Sequence, residues 1–220
     1  MKYIKTFGKE RTGTRYLRFM VEKNFQDVDV LAFTLGNKHG APLSFEDMAI
    51  GKWHRPKVDV KRVSKICNDI IKNGYKIHPI ILIKNPYSWY LSIKSVNPER
   101  FVAKYSFNAY NKLYREYKDF DNNYKDPFVK PIYVKYEDFI RDERKMLKYI
   151  AGVFDIKVND DIKIINKYYG NSNTKAKSFT ENRRKFYLSD DFGLDMKELK
   201  EITSLVDWDL MKFYGYNPKI

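Results

Sequence analysis

Segments with the two-residue hydrophobic period of a strand alternate along the chain with segments that have the period of a helix. Strands are predicted over residues 2–7, 27–33, 79–83 and 129–134, and helices from near Gly13 and over residues 58–72, 87–95, 140–153, 160–168 and 196–213. This alternation favours an α/β fold with a mostly parallel central sheet and helices on both faces. The 220 residues are expected to form a single domain, over 1–220.

The first predicted strand runs into a loop with two glycines and then into a helix. Gly8 and Gly13 allow a tight turn, and the first N–H groups of the following helix lack intrahelical partners, so phosphate or sulfate binds there readily. A Walker A loop carries Lys and then Ser or Thr directly after its second glycine, whereas this chain has Thr14 and Arg15. The loop therefore predicts an anion site without magnesium-dependent nucleotide hydrolysis. The alternative is a strand-turn-helix connection that binds no ligand.

A second segment repeats this design. Residues 80–83 form a buried apolar run, and Lys84, Asn85 and Pro86 end it before a predicted helix. Ser92 follows Lys84 by eight residues, which is about two helical turns along. Both side chains can therefore face one crevice if the turn brings the helix back. The alternative is a packing helix with Lys84 in solvent.

These motifs, in this order, resemble those of the sulfotransferases that use 3′-phosphoadenosine 5′-phosphosulfate (PAPS). That family has a basic residue followed by Ser/Thr-Gly-Thr, as at residues 11–14, and a basic residue, Asp/Asn-Pro and a serine, as at 84–92. A later strand ends in Tyr-Glu-Asp, as at 136–138. The resemblance spans residues 1–150. It implies a P-loop NTPase-like sulfotransferase fold and metal-independent transfer of a sulfuryl group from PAPS to a hydroxyl or amine acceptor.

The resemblance also implies roles for individual residues. Arg11, with Lys9 nearby, is expected to contact the sulfuryl and bridging oxygens, and Lys84 and Ser92 are expected to hold the 3′-phosphate. Tyr136 is expected to approach the adenine. Thr12, Gly13 and Thr14 are expected to hold the 5′-phosphate, and Glu10 and Arg15 complete the expected cofactor-binding set on the first loop.

The chain departs from the family pattern at three places. Many members have Lys where this chain has Arg11 and Arg where it has Lys84, so either Arg11 or Lys9 is expected to supply the catalytic charge. The basic C-terminal cofactor loop of the family is not evident. Its expected substitute is the basic stretch 171–185, for which a solvated loop is the alternative. This stretch adds Arg183, Arg184 and Lys185 to the cofactor-binding set.

A base is needed for the proton of the acceptor, and the chain has three histidines. His39 is the predicted base, because soluble family members carry a Lys and a His in the loop after the second strand. Lys38 is expected to steady the sulfate. A neutral imidazole accepts a hydroxyl proton. His54 and Glu46 are alternatives, and His78 is predicted to be structural.

The amino-acid composition excludes fewer classes of binding partner than the motifs do. Lys and Arg number 42 against 28 Asp and Glu, a formal charge of +14 that suits an anionic nucleotide but also nucleic acid, an acidic saccharide or an anionic membrane surface. The single cysteine excludes an intrachain disulfide, and no Cys/His cluster has zinc spacing. A cytoplasmic protein without a membrane span is expected.

The expected acceptor is a small molecule, a saccharide or a peptide, and nucleic acid is not an expected partner. Two rival functions stay open: a nucleotide or nucleoside kinase, and a basic nucleic-acid-binding domain. Residues 101–120 form a helical pattern rich in aromatic side chains. It predicts a packing face, with a wall of the acceptor pocket as the alternative.

Overall fold

The computed structural model describes residues 1–31, 38–40, 60–95, 98, 102–165, 167–168, 177–178, 181–189 and 191–220. In chain order the elements are β1 (Lys2–Phe7), α1 (Thr14–Asn24), β2 (Val28–Val30), α2 (Val60–Lys72), β3 (Ile77–Ile83), α3 (Pro86–Lys94), α4 (Ala103–Lys118), α5 (Phe120–Asn123), β4 (Ile132–Lys135), α6 (Tyr136–Arg141), α7 (Glu143–Val153), β5 (Lys167–Tyr168), β6 (Lys177–Ser178), α8 (Glu181–Leu188), α9 (Met196–Leu205) and α10 (Trp208–Phe213).

Four strands form one parallel sheet in the order β2-β1-β3-β4. Ile4 of β1 lies opposite Val30 on one side and opposite His78 of β3 on the other. The sequence of β3 is almost entirely apolar, as expected of a parallel strand that is covered on both faces. A second pairing joins β5 and β6 as a short antiparallel ribbon.

The strand order creates a crevice between β1 and β3. The chain leaves β1 towards β2 on one side, whereas it leaves β3 towards β4 on the other side. Connections that diverge in this way open a gap at the carboxyl ends of the two strands, and ligands of open α/β sheets bind in such gaps. The loops that follow β1 and β3 are the two predicted anion-binding segments.

Helices cover both faces of the sheet, which confirms the predicted α/β class. One face packs Ile4 and Leu82 against α1, α6 and α7, and the other packs Phe7 and Ile83 against α3, α4, α9 and α10. The apolar face of α2 packs against the sheet beside Tyr3 of β1, where Ile70 of α2 and Ile77 of β3 are fully buried. None of the helices in the described ranges is long and apolar enough to cross a membrane.

Three predicted helices differ from the observed ones. The 140–153 and 196–213 segments are each interrupted, because Asp142 and Asp207 cap a new helix with their side chains. The predicted helix at 160–168 is wrong, since residues 160–165 are irregular and 167–168 form β5. The side chain of Asn24 accepts a hydrogen bond from the Lys163 N–H and donates another to the Lys163 carbonyl. These two bonds hold the backbone around Lys163 in a non-helical conformation.

The aromatic segment forms α4, and its predicted packing face is confirmed. Phe107, Tyr110, Tyr114 and Tyr117 are all fully buried, and neighbouring rings of this series lie 4.5 to 5.8 Å apart. Tyr105, on the opposite side of the helix, is 72% exposed. The role of this helix as an acceptor-pocket wall stays a prediction.

The central sheet contains a buried lysine, Lys5. Lys5, in the middle of β1, is fully buried, and its Nζ lies 5.5 Å from the centre of the Phe7 ring. The pKa of Lys5 is lowered to about 7, mainly by burial and also by the charges of Lys38 and Arg18. Lys5 therefore titrates near neutral pH.

We expect Lys5→Met to remove a pH dependence of stability. Between the folded pKa of about 7 and the ordinary value of 10.5 the unfolded chain binds one more proton than the folded chain, so the stability of the wild type falls as pH falls through this window. Relative to Lys5→Met, the wild-type free energy of unfolding should rise by about 2 kcal/mol from pH 7 to pH 9. Urea unfolding at several pH values measures this difference, and parallel profiles would contradict it.

Candidate anion-binding site

The loop between β1 and α1 is a compact turn, and no side chain caps the start of α1. Arg11 and Gly13 have left-handed backbones, with φ of 70° and 89°. Thr12 closes the turn, since its N–H and its hydroxyl both donate to the Lys9 carbonyl, at 3.2 and 2.7 Å. Helix α1 has no side-chain cap and no acidic residue in its first turn. The first N–H groups of α1, from Thr14 on, are therefore suited to binding an anion.

The loop is packed tightly against the end of β3 and against α6. A Cβ atom on Gly13 would lie 2.5 Å from the Tyr136 ring, and one on Gly8 would lie 2.6 Å from the Leu82 carbonyl oxygen. Tyr136, predicted to approach the adenine, thus lies directly behind the turn. Its ring fixes how closely the loop approaches the sheet.

The loop cations differ in their surroundings. Lys9 and Arg11 are partly buried, and within the described residues neither side chain has a hydrogen bond or an ion pair. Burial lowers the pKa of Lys9, and the nearby Glu10 carboxylate opposes that change. Both cations are therefore candidates to meet an anion, and the choice between them stays a prediction.

The second predicted motif is buried beside this loop. Lys84 is 1% exposed, and its Nζ donates to Ser92 Oγ at 2.7 Å and to the Arg11 carbonyl at 3.4 Å. The same ammonium group lies 3.8 Å from the centre of the Tyr187 ring and 5.0 Å from that of Tyr136. The turn after β3 thus brings Lys84 and Ser92 together, as their spacing predicts.

A further contact joins the two motifs. The indole N–H of Trp89, on α3, donates to the Glu10 carbonyl at 2.8 Å. With the contact between Lys84 and Arg11, this places two hydrogen bonds between the loop after β1 and the segment after β3. The two candidate anion sites are therefore in direct contact.

Glu137 lies in the first turn of α6, and its side chain reaches beyond its own helix. The partly buried carboxylate accepts hydrogen bonds from the Asn85 N–H at 3.0 Å, from Ser88 Oγ at 3.3 Å and from the Tyr216 hydroxyl at 2.5 Å. Burial raises the pKa of Glu137, and the Tyr216 hydrogen bond opposes this rise. Glu137 thereby holds the start of α3. Its three partners lie 49 to 79 residues away, so no local pattern in the sequence reveals them.

The short segment 38–40 pairs with the end of β1. The Gly8 N–H donates to the Lys38 carbonyl at 2.8 Å, and His39 Nδ1 lies 3.0 Å from the Gly8 carbonyl oxygen. Because a carbonyl only accepts, Nδ1 carries the proton and Nε2 is the acceptor of the neutral ring. The pKa of His39 is lowered to about 4, mainly by burial and also by the charges of Lys38 and Arg15, while the Gly8 contact and Glu10 act in the opposite direction. His39 is therefore neutral at pH 7.

The other two candidates for the base, Glu46 and His54, lie outside the described residues. Lys38 and Arg15 are close enough to His39 for their charges to act on it. The structure thus brings one candidate base, the glycine-rich loop and two cations into the same region.

The basic stretch 171–185 is only partly described, and its prediction as a loop is wrong for residues 181–185, which belong to α8. Arg184 makes a bidentate ion pair with the buried carboxylate of Glu143, at 2.9 and 2.8 Å. Glu143 also accepts a hydrogen bond from the Tyr16 hydroxyl at 3.1 Å. Lys185 is exposed, and the side chain of Arg183 lies outside the described residues. The ion pair leaves Arg184 holding α8 in place.

Among the residues that the structure describes, no three His, Cys, Asp or Glu side chains lie close enough together to hold a metal ion. No protein-family model and no curated protein matches the chain.

We expect Gly13→Ala to destabilise the protein more than Gly74→Ala. Both glycines have left-handed backbones, but a Cβ at Gly74 would meet nothing within 4 Å, whereas one at Gly13 would enter the Tyr136 ring. The expected costs are about 1 kcal/mol for Gly74→Ala and about 2 to 4 kcal/mol for Gly13→Ala. Urea unfolding measures both, and equal costs would show that the ring moves aside freely.

Proposed function

We propose that this protein is a PAPS-dependent sulfotransferase with a P-loop-like fold. One observation carries the proposal: Lys84 Nζ contacts both Ser92 Oγ and the carbonyl of Arg11. An anion site at the start of α1 and a cationic, hydroxyl-bearing site are therefore neighbours in one crevice. A nucleotide with phosphate groups at both its 5′ and its 3′ positions fits two such sites.

In the proposed reaction an acceptor oxygen attacks the sulfur of PAPS in line with the bridging oxygen. The new O–S bond forms as the bond between sulfur and the bridging oxygen breaks, and adenosine 3′,5′-bisphosphate leaves. Arg11 and Lys9 stabilise the charge that develops on the sulfuryl and bridging oxygens. The N–H groups at the start of α1 hold the 5′-phosphate, while Lys84 and Ser92 hold the 3′-phosphate and so position the reacting group.

His39 takes the proton of the acceptor in this mechanism. Its hydrogen bond to the Gly8 carbonyl leaves Nε2 as the basic atom, and the low pKa of about 4 keeps the ring neutral before the cofactor binds. A bound polyanion raises the pKa of a nearby imidazole, since it favours the charged form. Cofactor binding therefore strengthens His39 as a base.

The kinase alternative has weaker support. It requires Lys and Ser or Thr after the second glycine of the loop, and Thr14 and Arg15 stand there. No described feature favours a nucleic-acid-binding function over the proposed one. The acceptor class and the cytoplasmic location remain predictions.

Nucleotide binding tests the proposal directly. We expect adenosine 3′,5′-bisphosphate to raise the melting temperature of the wild type, because a ligand that binds only the folded state stabilises it. ATP with magnesium should have a smaller effect. Lys84→Met should weaken bisphosphate binding by about tenfold or more, since it removes a charge-assisted contact. Thermal shift and calorimetric titration measure these effects.

Lys112→Met is the matched control, because Lys112 is exposed on α4 and its loss changes the net charge equally. Bisphosphate affinity should be nearly unchanged in this variant. If ATP with magnesium stabilised the wild type more than the bisphosphate did, the kinase alternative would replace the proposal.

We expect His39→Gln to lower turnover by about 100-fold, the usual scale for loss of a general base, while bisphosphate affinity changes little. Release of bisphosphate from PAPS, with water or the best acceptor from a screen, measures turnover. Turnover at the wild-type level would exclude His39 as the base and direct attention to His54 and Glu46.

A further inference from the structure

Tyr187, on α8, occupies the second half of the candidate site. Its hydroxyl lies 2.9 Å from Ser92 Oγ, and the face of its ring lies 3.8 Å from Lys84 Nζ. All three side chains are more than nine-tenths buried. An ammonium group and two hydroxyl groups thus converge on one small volume, and none of these three residues is acidic.

The position of Tyr187 is fixed by its own surroundings. Its ring packs edge-to-face on Tyr136, with centroids 5.3 Å apart and an interplanar angle of 84°. One turn earlier in α8, Arg184 is bound to Glu143 by two hydrogen bonds. This ion pair anchors the helix that carries Tyr187. Arg184 is therefore a positioning residue for Tyr187.

Tyr187 also lines a cavity of about 180 Å³. The other lining residues include Asn85, which is the N-cap of α3, the cations Lys135 and Arg141, and the carboxylates Glu137 and Asp138. The cavity lies at the carboxyl ends of β3 and β4, where the parallel sheet places its ligand-binding edge. Tyr187 thus adjoins both the contact between Lys84 and Ser92 and an open part of this edge.

We propose that Tyr187 is the third residue of the 3′-phosphate subsite and that its hydroxyl determines selectivity for 3′-phosphorylated nucleotides. This inference rests on the proposed function. Before the nucleotide binds, the hydroxyl groups of Tyr187 and Ser92 are hydrogen-bonded to each other. A 3′-phosphate accepts hydrogen bonds from both hydroxyls and from Lys84, and each donor to a charged phosphate strengthens binding. A nucleotide that has only a 5′-phosphate makes none of these contacts.

The test compares two ligands in one variant. Adenosine 3′,5′-bisphosphate and adenosine 5′-monophosphate are titrated calorimetrically into the wild type and Tyr187→Phe, which keeps the ring over Lys84. The variant should lose about tenfold in bisphosphate affinity and less than twofold in monophosphate affinity. Tyr149→Phe, an exposed tyrosine on α7, is the control and should change neither affinity.

The possible outcomes separate this inference from the proposed function. An unchanged affinity ratio in Tyr187→Phe, or an equal loss for both nucleotides, would overturn the role of Tyr187 while leaving the proposed function in place. A wild type that binds neither nucleotide would overturn the proposed function itself, and this inference with it.

Discussion

A buried ammonium group joins the two halves of the candidate site, and the rest of the arrangement depends on it. Lys84 extends from the end of β3 and donates to the backbone of the loop after β1 as well as to Ser92 on α3. A charge in the interior is costly unless hydrogen bonds and polarisable groups compensate for it. The Arg11 carbonyl, Ser92 and two aromatic faces supply that compensation, so the two loops and α8 must assemble around Lys84 together.

The concentration of positive charge has an energetic cost in the absence of a ligand. Lys9, Arg11 and Lys84 lie at one end of the sheet, Lys5 is buried within it, and the whole chain carries a formal charge of +14. Repulsion among such groups lowers the stability of the compact state. An anionic ligand relieves it, so binding and stability are expected to be strongly coupled.

Local sequence was sufficient for the parts of the structure that depend on neighbouring residues. The apolar run of β3, the helix start at Pro86 and the spacing from Lys84 to Ser92 all lie within one short segment, and the structure agrees with each. The predictions that were wrong concern residues whose contacts lie far along the chain. Asn24 prevents the helix predicted at 160–168 from a distance of 139 residues, and Glu143 engages Arg184 from 41 residues away. Periodicity and spacing carry no information on such pairs.

The helix α4 links the core to the site through the hydroxyl groups of its tyrosines. Tyr110 donates to the Lys84 carbonyl at 2.8 Å, and Tyr117 donates to the Gly40 carbonyl, beside His39, at 3.0 Å. Phenylalanine would fill nearly the same volume at both positions, so packing alone would accept it. The loss of one oxygen atom would instead release the backbone that carries Lys84 or His39. Retention of tyrosine at positions 110 and 117 among related sequences would therefore record selection on the site, at core positions where packing alone would allow exchange with phenylalanine.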